Sequence, residues 1–256
     1  MFINKNIELI DGTAMAYIND ISAVVISDMH LGYEGTMAKS GIFMPQVNLK
    51  QIIKNLDAAM EKRKVEFLII DGDIKNEFAG VGEAEFDELY KFAEFAKDKK
   101  MRLVLIKGNH DNFVERYKEQ FKFDIHRQEA KMGNYLFFHG EDMPQKLESA
   151  KTLIMGHEHP AISIYSDVGK EERLRCFLYG KYKRKNLLVL PAISYFSNGT
   201  PVNTIPKGKL LSPIFKRVNI DEMRAIAIGY GSTMDFGKIK ELKKLAKNNL
   251  HYQKIT

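Results

Sequence analysis

The chain has 256 residues, of which 45% are hydrophobic and 28% are charged. This balance is typical of a globular protein and excludes a chain that is mainly disordered. Lys and Arg number 39 against 33 Asp and Glu, and the resulting formal net charge of +6 permits an anionic partner without demonstrating one.

The single cysteine, Cys176, cannot form an internal disulfide and excludes a zinc site built from several thiolates. We therefore expect a reducing, cytoplasmic setting. The first residues include Asp11 and contain no sustained apolar segment, unlike a signal peptide. Since no apolar run approaches the length of a membrane span, we also expect a soluble protein with no membrane partner.

Alternating strand and helix patterns fill the first half of the chain. Short apolar runs at residues 23–27, 67–70 and 103–106 predict strands that are buried on both faces. Between them, apolar residues recur at helical spacing from Leu49 to Met60 and from Phe86 to Ala93. This half therefore predicts a β-α-β-α-β order.

Strands follow strands directly from about residue 130. The predicted strands occupy residues 135–138, 153–155, 162–165, 174–178 and 187–190. Residues 221–256 should form a C-terminal strand at 224–228 and a lysine-rich helix at 236–248. No linker is evident, so we expect a single domain over residues 1–256.

Five clusters of polar residues each follow an apolar run. They are Ser27-Asp28-Met29-His30, Asp71-Gly72-Asp73, Gly108-Asn109-His110-Asp111, Phe138-His139-Gly140 and Gly156-His157-Glu158-His159. The spacing is 45 residues from Asp28 to Asp73, 36 from Asp73 to Asn109 and 30 from Asn109 to His139, each about one β-α-β crossover. Because crossovers return the chain to the same edge of a sheet, the clusters should converge at the carboxyl ends of the strands.

The donor types in these clusters point to metal binding. Imidazole, carboxylate and amide groups without a thiolate suit Mn, Fe, Zn, Co or Ni. Seven such donors exceed the need of one tetrahedral ion and suit two ions that share a carboxylate. On extended chain, Asp28 with His30 and His157 with His159 would each present two ligands to one side.

The ordered set resembles the calcineurin-like metallophosphoesterase superfamily, whose pattern is D-x-H, G-D, G-N-H-D/E, H and G-H-x-H. All five blocks occur in order between Asp28 and His159. The resemblance implies an α/β fold, a four-layer α/β/β/α sandwich of two mixed sheets. It also implies hydrolysis of a phosphate-ester substrate with two divalent transition-metal ions, Mn being expected first and Fe, Zn, Ni or Co being alternatives.

The resemblance assigns roles to individual positions. One metal would be held by Asp28, His30 and His159, and the other by Asn109, His139 and His157. Asp73 would bridge the two metals, and a bridging hydroxide would attack phosphorus in line. His110 would face the phosphate as a general acid or a transition-state stabiliser.

Four residues beside these positions have two interpretations each. Asp71 and Asp111 would fix a histidine tautomer by hydrogen bonding, or are solvated loop residues. Lys75 and Asn76 would contact substrate or orient His110, or make a local salt bridge or turn contact.

Two further segments lie outside the five clusters. Tyr33, Glu34 and residues 41–46 would form a wall of the substrate cleft, or are a plain connection. The basic residues between Tyr179 and Lys185 would bind nucleic-acid phosphates, although a solvated hairpin corner is the more common structure for such a sequence.

Departures from the family pattern narrow the substrate class. Phosphoprotein phosphatases carry G-D-x-x-D-R-G, whereas Asn76 stands here in place of the second acid and the Arg is missing. The stretch from Gly72 to Phe78 looks like that of an archaeal and bacterial branch that includes the DNA-ligase-associated phosphoesterases, distantly similar to SbcD-type nuclease subunits. We therefore expect a phosphodiesterase acting on nucleotides or nucleic acid. The alternatives are a phosphomonoesterase of small metabolites and, less favoured, a non-catalytic scaffold; the residues identify no protein partner.

Overall fold

The first of two β-sheets holds the predicted parallel strands at its centre. The computed structural model describes residues 1–166, 170–229 and 231–252. Strands β1 to β6 are Ile7–Leu9, Ala16–Ile18, Ala23–Ile26, Phe67–Asp71, Arg102–Ile106 and Phe123–His126, in that order across the sheet. Strands β3 to β6 are parallel, and β1, β2 and β3 pair antiparallel. The β-α-β-α-β prediction for this half is confirmed.

The second sheet is also mixed. Its strands β7 to β15 are Glu129–Met132, Tyr135–Phe138, Thr152–Met155, Pro160–Tyr165, Glu171–Tyr182, Lys185–Val189, Thr200–Pro201, Arg224–Gly229 and Ser232–Lys238. Their order is β13-β10-β11-β12-β9-β8-β7, and β14 pairs with β11 and β15. The inner strands β8, β9 and β12 are parallel to one another, whereas β7, β11 and β14 pair antiparallel with their neighbours.

Helices cover the outer face of each sheet. Helices α1 to α5 are Tyr33–Lys39, Asn48–Met60, Glu83–Asp98, Lys118–Phe121 and Ile239–Tyr252. Ile52 of α2 and Leu89 of α3 pack on the first sheet, and Leu242 of α5 packs on the second. In the described ranges, no helix has the length and apolar character that crossing a membrane requires. The predicted four-layer α/β/β/α sandwich is confirmed.

The two sheets face each other across a central apolar layer. Val25 and Ile69 of the first sheet lie in this layer with Phe137 and Leu188 of the second. Neighbouring residues such as Val24 point the other way, toward the helices. Alternate side chains of a strand leave opposite faces, so continuous apolar runs are buried on both faces, as predicted.

The C-terminal prediction needs one correction. Arg224–Gly229 and Ser232–Lys238 form two antiparallel strands, β14 and β15, rather than one strand. Arg224 and Asp235 join the two strands through a 2.9 Å hydrogen bond from Nε to the carboxylate. Phe236 therefore lies in a strand, and the lysine-rich helix begins at Ile239. The last predicted residues, 253–256, lie outside the described residues.

Candidate active site

The loops after the parallel strands bring the predicted polar clusters together. Asp28 and His30 follow β3, Asp73 follows β4, Asn109 and His110 follow β5, His139 follows β8, and His157 and His159 follow β9. The first two loops are joined by main-chain hydrogen bonds of 3.0 Å from Asp28 to Gly72 and from His30 to Asp73. The site therefore lies at the carboxyl ends of the strands, as predicted. The step from Asn109 to His139 is not one β-α-β crossover, as the spacing suggested, because it passes from β5 of the first sheet to β8 of the second.

A first donor group consists of Asp28, His30 and His159, whose ligand atoms lie within 4.8 Å of one another. Nε2 of His159 is 3.0 Å from Oδ1 of Asp28 and 3.5 Å from Nε2 of His30. Asp28 is fully buried. Burial disfavours its ionised form, but His159 and His139 hold the pKa of its carboxyl below the usual range.

A second donor group consists of Asp73, His139 and His157. Nε2 of His139 is 3.3 Å from Oδ2 of Asp73 and 3.2 Å from Nδ1 of His157. Asp73 also groups with His30 and His110, so its carboxylate lies between the first donor group and the second. This is the position that a bridging carboxylate requires.

The residues fit divalent metal ions. Burial lowers the pKa of His30 and of His157 to about 4 each, so both rings are neutral, as metal ligation requires. The side-chain oxygen Oδ1 of Asn109 is buried and has no hydrogen-bond partner among the described residues. A buried amide oxygen without a partner is costly, and a cation would satisfy it. Carboxylate, imidazole and amide donors suit the borderline transition metals.

Neighbouring groups orient the histidines and Asp28. Nδ1 of His139 donates a 2.8 Å hydrogen bond to the main-chain oxygen of Asp71, which leaves Nε2 for a metal. Nδ1 of His159 lies 3.2 Å from Oγ of Ser197, and the Ser27 hydroxyl donates to Asp28 at 2.6 Å.

Asp71 supports His139 through its main chain and not through its carboxyl. Both carboxyl oxygens of Asp71 are buried without a hydrogen-bond partner in the described ranges. Burial raises the pKa of this carboxyl well above its usual range. Because the hydrogen bond from His139 uses the main-chain oxygen of Asp71, most substitutions of the Asp71 side chain would leave it in place.

The Asp111 carboxylate contacts backbone rather than a histidine. It accepts main-chain hydrogen bonds of 2.9 Å from Gly108, 2.8 Å from Asp73 and 3.0 Å from Ile74. Burial, together with the charge of Asp73, raises the pKa of Asp111 to about 7. Its function in this geometry is to fix the loop that carries Asp73.

His110 is oriented by a main-chain carbonyl. Its Nδ1 is hydrogen-bonded to the main-chain oxygen of Asn76, and because a carbonyl only accepts, Nδ1 carries the proton. Nε2 then faces the donor groups, 3.9 Å from Oδ2 of Asp73. The ring of Phe78 lies over the imidazole with 3.8 Å between ring centroids. The Asn76 backbone thus contacts His110 where protein phosphatases use an acid.

Lys75 and Asn76, the two residues predicted to contact substrate, are placed differently. The Lys75 side chain is fully buried, and its ammonium donates to the main-chain oxygen of Glu77. Asn76 lines a small cavity beside His30 and His159, two of the predicted metal ligands. A contact of either residue with substrate stays a prediction, and the geometry favours Asn76.

Tyr33 and Glu34, which were predicted to form a wall of the cleft, have different positions in the structure. Tyr33 lines the same cavity as Asn76. Glu34 is buried and accepts hydrogen bonds from the main-chain amides of Val47 and Asn48, at 3.1 and 2.9 Å. Glu34 therefore stabilises the start of α2 rather than lining the cleft.

The expectation that the D-x-H and H-x-H ligands lie on extended chain is wrong. Asp28, His30, Asp73, His157 and His159 have left-handed backbone conformations, with φ between 46° and 64°. Such conformations are unfavourable for residues other than glycine and concentrate at functional sites. The chain turns tightly at each strand end, and that turn presents the ligands.

Glycine is required where the loop beside Asp73 approaches His139. Gly72 has a φ of 86°, and a β-carbon at this position would overlap the His139 ring. The loop after β4 therefore passes against the imidazole only because this residue has no side chain.

Sequence reasoning missed three residues at the site. Phe196 lines the cavity with Tyr33 and Asn76, Phe78 covers His110, and the Glu141 carboxylate lies 4.0 Å from Nε2 of His139. Glu141 directly follows the Phe138-His139-Gly140 cluster, and this adjacency could have identified it as a residue of the site. Phe78 ends the stretch from Gly72 to Phe78 that resembles a branch of the family, although that resemblance gave it no role. Phe196 belongs to no motif, and its place in a polar loop stretch is its one signal.

Comparisons with known proteins identify the family and the fold of this chain. The profile of the calcineurin-like phosphoesterase family matches residues 21–182, which include all seven predicted ligands. The crystal structure of the Pseudomonas putida nuclease MPE superposes with a TM-score of 0.61 at 17% identity, covering 90% of this chain and 100% of that chain. The phosphoesterase Yfce of E. coli gives a TM-score of 0.40 at 15% identity, covering 82% and 95%. No curated protein matches the sequence.

The family match extends over more than half of the chain, and the Pseudomonas structure shows the same fold. Members of this family use divalent metals, and the donor groups described above lie inside the matched segment. The chain therefore belongs to the calcineurin-like phosphoesterases and is a hydrolase that acts on phosphoric ester bonds.

Proposed function

We propose that this protein hydrolyses phosphodiester bonds of nucleotides or nucleic acid with two divalent metal ions, of which Mn²⁺ is the first to test. The observation that supports two ions is the position of Asp73, whose carboxylate belongs to one donor group with His139 and to another with His30. A carboxylate shared in this way is the usual feature of two-metal hydrolases.

The residues that would hold the ions follow from the two donor groups. Asp28, His30 and His159 would hold one ion; Asn109, His139 and His157 would hold the other; and Asp73 would contact both. When bound, such a pair of ions activates water and offsets negative charge on the phosphoryl oxygens.

His110 would handle the proton of the leaving group. Nδ1 is engaged by the Asn76 carbonyl, so the leaving oxygen would take its proton from Nε2, a step that requires a ring protonated on both nitrogens. The Phe78 ring over the imidazole limits its rotation. His110 is oriented without being a metal ligand, which separates proton transfer from metal binding.

The charge around the site supports a diester rather than a monoester. Lys75, two residues after Asp73, is buried and donates its ammonium to the main-chain oxygen of Glu77. The nearby Arg175 guanidinium donates to the main-chain oxygens of Ala192 and Ser194, at 3.0 and 2.8 Å. A monoester dianion needs more positive charge than a diester monoanion. The name of the Pseudomonas protein with this fold, a nuclease, agrees with a diester substrate.

The test compares bis(p-nitrophenyl) phosphate with p-nitrophenyl phosphate on metal-stripped protein re-supplied with Mn, Ni, Co, Zn or Mg. We expect diester turnover restored by one transition metal, with a stoichiometry near two ions per chain by calorimetry. Turnover of the monoester alone would favour a small-metabolite phosphomonoesterase. Bound metal without turnover of either ester would indicate a scaffold, and a single bound ion would contradict the two-metal site.

A further inference from the structure

A small cavity adjoins the first donor group and is not used by the chemistry proposed above. Its volume is about 180 Å³. It is lined by His30, Tyr33, Asn76, His159, Ser194, Phe196 and Ser197. Because His30 and His159 are predicted metal ligands, a phosphate ester held by the metals would place one of its ester groups at this cavity.

Two aromatic rings make up the apolar part of the wall. The rings of Tyr33 and Phe196 stack with 5.3 Å between centroids and an angle of 27° between planes. Tyr195 packs its ring edge-on against Phe196, at 5.5 Å, and is itself exposed. Neither Tyr33 nor Phe196 is fully buried, so the stacked pair offers ring surface to a ligand.

The remaining wall is polar but uncharged apart from the histidines. Among the described residues, the hydrogen bonds of Asn76 use its main-chain N–H and oxygen, which leaves its side-chain amide for a ligand. An amide offers both donors and an acceptor, so it matches the polar edge of a heterocycle better than a hydrocarbon or a second phosphate.

The volume limits what the cavity accepts. Pockets for drug-sized ligands measure about 300–1,000 Å³, well above this cavity. One planar ring system fits, and a whole nucleotide does not. Aromatic faces bind bases of any sequence by stacking, which contributes substantially to nucleotide affinity.

Resting on the phosphodiesterase activity proposed above, we propose that Tyr33, Asn76 and Phe196 form a subsite for the nucleobase of the nucleoside esterified to the scissile phosphate. The rings stack on the base, and the Asn76 amide hydrogen-bonds to its polar edge. The subsite selects nucleoside esters over simple alkyl esters.

The test uses diesters that share a leaving group and a charge. They are the p-nitrophenyl esters of thymidine and adenosine 5′-monophosphate and methyl p-nitrophenyl phosphate. The wild-type protein, re-supplied with the metal that supports turnover, should show a higher kcat/KM for at least one nucleoside ester than for the methyl ester. In Phe196→Leu the ratio of the two kcat/KM values should fall by about tenfold, mainly through KM.

Two further variants test whether a change in the kcat/KM ratio is specific to the cavity. Asn76→Ala removes the amide but keeps the main-chain carbonyl on His110 and both rings, and should lower the same ratio by about threefold or more. Tyr90→Leu removes an exposed aromatic ring on α3, outside the cavity, and should leave the ratio unchanged. Saturation-transfer NMR on metal-free protein should detect thymidine or adenosine bound to the wild type and not to Phe196→Leu.

The possible outcomes separate this inference from the proposed function. If wild type cleaves all three diesters equally well, or Phe196→Leu lowers all three equally, the subsite is wrong while the phosphodiesterase proposal stands. If no diester is cleaved with any metal, the proposed function fails and the subsite fails with it.

Discussion

The Asp111 carboxylate accepts a 2.8 Å hydrogen bond from the main-chain amide of Asp73, the residue shared between the donor groups. The same carboxylate accepts from Gly108 in the following loop, at 2.9 Å. It therefore fixes the loops after β4 and β5 relative to each other. Asp111 contacts Asp73 through the Asp73 main chain and not through its carboxylate. By fixing that main chain, it determines where the Asp73 carboxylate lies.

Substituting Asp111 should weaken both the fold and the metal site. Asp111→Ala leaves four buried main-chain amides without their acceptor, and we expect the free energy of unfolding of metal-free protein to fall by about 3 kcal/mol. Affinity for Mn²⁺ should fall by about tenfold or more, because the Asp73 loop loses its support. Urea unfolding and calorimetry measure the two effects. Asp87→Ala, at an exposed helical position, is the control, and unaltered Mn²⁺ affinity in Asp111→Ala would contradict this function of Asp111.

His110→Ala and Asp73→Asn should separate turnover from metal binding. The first variant keeps all seven predicted ligands, so metal content should persist while kcat falls by about a hundredfold or more. The second weakens the shared ligand, so metal content and turnover should fall together. Metal analysis after gel filtration, with kcat on the diester, gives both readouts. His126→Ala, at a partly exposed histidine outside the site, should change neither, and equal metal loss in His110→Ala and Asp73→Asn would show that His110 is a ligand.

An ion pair outside the donor groups, between Arg63 and Glu8, should make stability pH-dependent in acid. Arg63 donates to both carboxylate oxygens of Glu8, at 2.9 and 2.6 Å. These hydrogen bonds hold the pKa of Glu8 below its ordinary value of 4.5. A carboxyl whose pKa is lower in the folded state contributes stability above its unfolded pKa, and that contribution is lost as the pH falls through the folded pKa.

Glu8→Gln should therefore be destabilised near neutral pH, by about 1 kcal/mol for a partly exposed pair. The difference from wild type should shrink as the pH falls below the ordinary pKa of glutamate and vanish in strong acid. Urea unfolding of metal-free protein across this range measures it. Glu94→Gln removes an exposed i,i+3 pair with Lys97 and should be nearly neutral throughout. A difference between Glu8→Gln and wild type that grows toward acid would mean that Arg63 does not stabilise the ionised carboxylate.

The fold was predictable where the sequence has strong periodicity. Continuous apolar runs such as 67–70 and the helical stripe from Leu49 to Met60 identified the buried strands and the covering helices. The short strands at the edge of the first sheet were not predictable, since three residues such as Ile7–Leu9 show no period. The β14–β15 hairpin was missed because its pairing depends on cross-strand contacts such as that of Arg224 with Asp235.

The convergence of the donors was predictable because metal chemistry restricts residue type and each cluster follows an apolar strand. Their division into two groups came from the resemblance to the calcineurin-like family. The supporting contacts were not predictable, because many use the backbone. The Asn76 carbonyl holds His110, and the Asp71 carbonyl holds His139, whatever side chains those residues carry. The left-handed turn at Asp28 is likewise a property of the folded loop and leaves no pattern in the sequence.

The rate at which the one cysteine, Cys176, reacts with a thiol reagent should measure how readily the second sheet opens. Cys176 lies in β11, fully buried in the outer core of that sheet, and burial raises the pKa of its thiol. Both effects suppress the thiolate, which is the reactive form. In the folded protein at mildly alkaline pH, modification by a disulfide reagent should be slower than in the unfolded chain by at least about a thousandfold, because it requires opening of the core. Glu94→Cys, at an exposed helix position, adds a thiol that should react at once. Reaction of two thiols at similar rates in that variant would mean that β11 opens far more easily than its complete burial implies.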